Sequence, residues 1–284
     1  MCPACITTAA LTFAGVTSAG GLTAFVAKKF RPQRPPAKES EMNTETLQTP
    51  TDRHGVVSRD EWTAARLQLL EKEKELTRQR DAVNAARREL PWVEVDKPYV
   101  FDTPDGKAQL AELFEGRSQL IVYHFMFGPG WQEGCPSCSF LADHVDGTLV
   151  HLAARDVSFV AVSRAPLAQI REFQRRMGWR FKWVSSHGSS FNHDFHVSST
   201  AEERAQGRMH YNYGEIEFDG EELHGMSAFY KDASGAVFHT YSSYARGCDL
   251  LLGTYNWLDL APKGRDEGGL GFTMSWVRHH DHYA

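Results

Sequence analysis

Residues 118–127 are almost continuously apolar, and a glycine-rich loop, 128–134, carries the chain from them to Cys135-Pro136-Ser137-Cys138 at the head of a helical stretch. A short unbroken apolar run of this kind suits a central strand buried on both faces. A strand that passes through a loop into a helix points to an α/β layout with the dithiol at the junction. There Cys135 meets the unpaired N–H groups of a first helical turn, which favour a thiolate. Pro136 fits that turn because its missing N–H has no helical partner to lose. Cys138 lies one turn on, within reach of an adduct formed on Cys135. Cys135 is therefore the candidate nucleophile and Cys138 the candidate resolving thiol. A structural zinc half-site and an inert reduced pair are the alternative readings.

The flanking sequence alternates strand and helix signals. Residues 93–101 look extended, Thr103-Pro104-Asp105-Gly106 is a turn, and 108–114 read as a short helical stretch ended by Gly116. Helix is expected from Cys135 to about residue 154 and strand over 157–163. Pro166 then opens a helix with Ile170, Phe173 and Met177 on one face, ended by Gly178. Residues 180–184 suit another strand, 226–232 and 236–242 a hairpin around Ser234-Gly235, and 249–257 a helix. This order predicts an α/β thioredoxin-like layered sheet flanked by helices, over residues 92–262. Residues 185–225, with His187, His193, His196, His210 and His224, break the alternation and read as a long insertion near the site. Residues 263–284 are a C-terminal tail.

The amino-terminal third is organised differently. Residues 6–27 carry no charge and are followed at once by Lys28-Lys29-Phe30-Arg31. That length is close to the ~20 residues a helix needs to cross a bilayer core. Residues 1–30 are accordingly expected to be a hydrophobic, single-pass segment, with the basic cluster keeping the main domain cytoplasmic. A soluble cytoplasmic protein with an interfacial or packed segment is the alternative. Cys2-Pro3-Ala4-Cys5, a second C-x-x-C, would lie at the outer mouth of such a span. Residues 31–57 read as a polar linker. Residues 58–91 predict an amphipathic helix: Ser58 and Glu61 form a capping box, and Trp62, Leu69, Leu76, Val83 and Leu90 recur every seventh residue until Pro91. So narrow a stripe suits docking along the globular body, with a free coiled coil or a dimer contact as the other readings.

Three segments resemble a known family: Tyr123-His124-Phe125-Met126-Phe127-Gly128-Pro129, Gly134-Cys135-Pro136-Ser137-Cys138-Ser139-Phe140, and Phe191-Asn192-His193-Asp194-Phe195-His196. They look like the thioredoxin-like family catalogued as domain of unknown function 899, over roughly residue 42 to the carboxyl terminus. The resemblance implies a dithiol-disulfide oxidoreductase with Cys135 and Cys138 as its redox-active center. One departure from thioredoxins proper is that His224-Gly225-Met226-Ser227 lacks the proline that precedes the strand facing their dithiol. The turn at 103–107 is similar to the entry segment of peroxiredoxin-like thioredoxins, which keeps a thiol peroxidase in view beside disulfide exchange.

Three neighbours of the dithiol are candidate supporting residues. Trp131 is placed to cover it, Glu133 to exchange protons with it, and His124 on the preceding strand to stabilise a thiolate from beneath. Cys248 reads as a small packing residue. Five cysteines in 284 residues are too few for a disulfide scaffold. A net charge of −5 excludes a generally basic surface for nucleic acid. His193 and His196, at a spacing for one helical face, and His279-His280-Asp281-His282 invite a metal reading. Neither has a third ligand at a recognised spacing, so no metal and no cofactor is assigned. The expected function is a thiol-disulfide oxidoreductase acting on a thiol or disulfide substrate, protein or small molecule, with an unnamed electron donor, membrane contact through 6–27 and an open oligomeric state. The alternatives are a thiol peroxidase and a non-catalytic thioredoxin-like binding module.

Overall fold

The computed structural model describes residues 54–283. The uncharged run 6–27, Cys2 and Cys5, the basic cluster and most of the linker lie outside the described residues. Among the described residues no helix is long and apolar enough to cross a membrane.

Helix α1 (Arg59–Arg88) starts at the capping box read from the sequence, with the Ser58 hydroxyl accepting from Glu61 N–H and the Glu61 carboxylate accepting from Ser58 N–H. It buries none of its residues, and Leu76 in the middle of the seven-residue stripe is 66% exposed. The expected docking along the body is not what the structure shows. The helix reaches the body at its C-terminal end, where the Arg87 guanidinium lies 4.6 Å from the Tyr241 ring centroid. Exposed ion pairs such as Arg66–Glu73 flank the stripe on either side, and a face one residue wide offers too little apolar area to pull the helix down.

The short strands β1 (Val93–Glu94), β2 (Val100–Thr103) and β3 (Gly106–Gln109) follow. The segment read as helical from residue 108 is instead a strand as far as Gln109. Gly106, at φ 113°, closes a tight hairpin that pairs Thr103 with Gly106 and Val100 with Gln109. Only Leu110–Phe114 turns, as a 3₁₀ segment that buries Leu110, Leu113 and Phe114. Then come β4 (Gln119–His124), α2 (Pro136–Ala142), α3 (Leu149–Ala153), β5 (Val157–Ser163), α4 (Leu167–Arg176) and β6 (Lys182–Ser185). The single helix expected after the dithiol is broken in two. Asp143 and Asp146, just past α2, give their carboxylates to Trp179 Nε1–H and to the N–H groups of Arg180 and Phe181, which bends the chain away from helix.

Residues 185–225 contribute α5 (Phe191–Asp194), α6 (Ala201–Gln206) and a separate hairpin of β7 (Arg208–Tyr211) and β8 (Gly214–Glu217). The chain ends with β9 (Gly225–Lys231), β10 (Val237–Tyr244), α7 (Gly253–Leu258) and a tail. Eight strands form one sheet in the order β1-β10-β9-β4-β5-β6-β2-β3. The β4-β5-β6 core is parallel, with Ile121 opposite Phe159 and Val162 opposite Val184, and β9 runs antiparallel to β4, with His124 opposite Gly225.

Side-chain alternation along β4 divides two cores. Leu120 and Val122 face one side with Phe101, Phe191 and Phe229; Tyr123 belongs to the other, with Cys135, Cys138, Phe173 and Trp183. The 185–225 segment packs Phe191, Val197, Met209 and Phe218 onto the face that lacks the dithiol. The insertion expected near the site is therefore mostly across the sheet from it, and only its end returns, through Glu222 and His224.

Candidate active site at the start of α2

The loop after β4 is held from both ends. Cys135 N–H donates to Met126 O at 3.0 Å, and Ser139 donates back to Cys135 O through its N–H at 2.9 Å and its hydroxyl at 3.0 Å. Gly134 is needed because a Cβ there would stand 2.7 Å from the rings of both Phe125 and Phe173. Cys135 is thereby fixed as the N-cap of α2, with Pro136 next. The neighbouring Cys138 thiol, helped by the N–H groups of Cys138 and Ser137 at the helix start, outweighs burial and brings the pKa of Cys135 down from 9.0 to about 7. Burial pushes the Cys138 thiol well up, against hydrogen bonds from the Tyr123 hydroxyl and Met126 N–H, the latter 3.5 Å from its sulfur. The two environments separate a thiol disposed to ionise from one held protonated. Cys135 is 8% exposed and Cys138 2%.

The candidate supporting residues separate. Trp131 packs partly buried against the dithiol-side core, its indole nitrogen close to Gly128. Glu133 is exposed and paired with Arg176 at 2.5 Å, with a carboxylate oxygen 3.3 Å from His279 Nδ1. His124 lies on the opposite face, fully buried, with its ring stacked on Phe191 and Phe195 and its Nε2 2.8 Å from the Ser227 hydroxyl. Burial, and secondarily His239, hold it neutral with a pKa lowered to about 3. His193 and His196 do not share a helical face: α5 ends before His196, whose φ of 53° turns its ring against His210.

Several residues around the site carry no sequence signal. Tyr123 follows from strand alternation alone, once the dithiol's face is known. Cys248 lines, with Cys138, Tyr123, Met126, His224 and Met274, a cavity of about 20 Å³, room for about one water. Burial raises the Cys248 thiol to about 12, so it stays protonated. Glu222 and Arg164 approach to 3.1 Å beneath the loop at Gly128, without hydrogen-bond alignment. Burial dominates there and raises Glu222 to about 7, opposed by Arg164 and by the Ser198 hydroxyl at 2.7 Å.

A mixed sheet in which β4 leads to a helix-capping C-x-x-C, β5 lies parallel beside it and the β9-β10 hairpin flanks its other edge is the plan of a thioredoxin-like layered fold. The chain belongs to the family described as bacterial protein of unknown function (DUF899), whose model matches residues 51–283. No curated protein matches the sequence. Among solved structures it is similar to peroxidoxin BcpB from Mycobacterium tuberculosis, at 13% identity over 58% of this chain and 95% of that one, with a TM-score of 0.36. It is also similar to the bacterioferritin comigratory protein of Xanthomonas campestris, at 12% identity over 59% of this chain and 96% of that one, with a TM-score of 0.39. Likenesses this distant carry no argument about activity.

Proposed function

We propose that the protein is a thiol-disulfide oxidoreductase with Cys135 as nucleophile and Cys138 as resolving thiol. The reading rests on one observation: a thiol at the N-cap of α2 with a second thiol one turn on in the same core. The Cys135 thiolate attacks a substrate disulfide, forming a mixed disulfide and expelling one substrate thiolate. Cys138 loses its proton to the leaving sulfur, attacks Cys135, closes the 135–138 disulfide and releases the second substrate thiol. An external dithiol reductant returns the pair to its starting state. In the Cys135→Ser protein turnover is expected to vanish, while Cys138→Ser accumulates a substrate adduct detectable by mass spectrometry. Full turnover in Cys135→Ser ends this reading.

The near closure of the site supports a second reading, thiol peroxidase. A cysteine only 8% exposed is more easily reached by a peroxide than by a protein disulfide. Cys135 then takes one peroxide oxygen to become a sulfenic acid, an alcohol or water leaves, and Cys138 condenses with it to form the disulfide and water. Rapid peroxide consumption with a trappable sulfenate in Cys138→Ser favours this reading over exchange. Residues 6–27 stand as the proposed tether to a membrane, on the sequence alone.

A further inference from the structure

We infer that Glu133, His279 and His282 form a binding site for a first-row divalent cation of the zinc class. One ligand atom from each residue lies within 4.8 Å of the others. His279 is oriented as metal-ligating histidines are: it is 4% exposed, and its Nε2 lies 2.8 Å from Gly134 O, a carbonyl that can only accept. With that bond made, the other ring nitrogen, Nδ1, is the atom available to the other two groups. Nδ1 lies 3.3 Å from a Glu133 carboxylate oxygen, a pair that a cation placed between them can bridge.

Arg176 supplies one. Its Nη2 lies 3.3 Å from His279 Nδ1 and 2.9 Å from His282 Nε2, and its Nη1 pairs with Glu133. The guanidinium thus marks the centre to which the three ligands converge. It also holds Asp281, through Nε at 2.8 Å and Nη2 at 3.0 Å, so a partner remains for it when a metal displaces its other contacts. Two imidazoles and a carboxylate with a fourth position left to water are a donor set that suits Zn²⁺, with Co²⁺ as its spectroscopic substitute. The bound ion would join the C-terminal tail to the loop that leads into Cys135, a role independent of the redox reading.

The test is titration with Co²⁺ of the full-length chain carrying Cys2→Ser, Cys5→Ser, Cys135→Ser and Cys138→Ser, which removes both C-x-x-C pairs as competing ligands. The expected result is visible d–d absorption without a thiolate charge-transfer band, saturating at a single equivalent and displaced by Zn²⁺. Glu133→Gln and His282→Ala, both at exposed positions that folding tolerates, each weaken binding at least about tenfold, and His279→Ala does the same. Arg176→Gln tightens binding, because it removes the resident cation; a purely structural network has no reason to do so. Absence of the absorption, binding unchanged in Glu133→Gln and His282→Ala, or weaker binding in Arg176→Gln overturns the site.

Discussion

The Cys135 thiol, in a nearly closed core, is brought down to about 7 by the neighbouring Cys138 thiol and the N–H groups of the helix start. Its alkylation by iodoacetamide is expected to titrate with a midpoint of about 7: slow below it, where the thiol is protonated, and on a plateau above it. The Cys138 thiol is the largest of the influences lowering that value, so Cys138→Ala is expected to move the midpoint up toward the ordinary 9.0, read from the same rate profile. Glu222 acts in the opposite sense. Its folded value of about 7 exceeds the ordinary 4.5, so between those limits the folded chain holds a proton the unfolded chain has released. Stability from this group is full below about 4.5, falls as pH rises toward 7 and is level beyond. Urea unfolding across that window is expected to show the slope in the wild type and its loss in Glu222→Gln. Of these residues the two thiols were legible in the sequence as a pair at a helix start, since spacing and the flanking loop set that position. Glu222 was not, because a glutamate in a polar stretch reveals nothing of its burial.

At the scale of elements, α1 and β4 are opposites. β4 is central and lined by fully buried Leu120 and Val122, whereas α1 is a long helix held by its cap and its own charges. Leu120→Ala is expected to cost about 2–5 kcal/mol, and Leu76→Ala to stay within about 0.5 kcal/mol of wild type, both from denaturant midpoints. Both elements were readable in advance, one from an unbroken apolar run and the other from a capping box with a seven-residue period. β3 and the break after α2 were not. Residues 106–109 are too few for periodicity to tell strand from turn, and their strand character comes from pairing with β2. The break after α2 depends on Asp143 and Asp146 finding donors at Trp179, Arg180 and Phe181, in a later part of the chain.

At the scale of the molecule, the tail closes the dithiol side of the sheet: Met274 and Val277 belong to the same core as Cys135 and Cys138, and Met274 lines the cavity beside Cys138. Deleting residues 263–284 is expected to lower Tm and to make Cys138 alkylate measurably faster, as followed by peptide mass spectrometry; an unchanged Cys138 rate contradicts this role for the tail. The amino-acid sequence by itself determined what is local: a buried strand, a thiol at a helix start, a second thiol one turn later and a capped helix. Each of these depends on neighbours within a few residues, and short-range backbone geometry is enough to specify them. Tertiary structure decided which face of β4 received the dithiol, and so left His124 among phenylalanines across the sheet. It also brought His279 onto Gly134, 145 residues away, next to Glu133 and Arg176. Alternation along a strand tells that neighbouring side chains part company, but only the packing of helices and tail against the sheet determines what each of them meets.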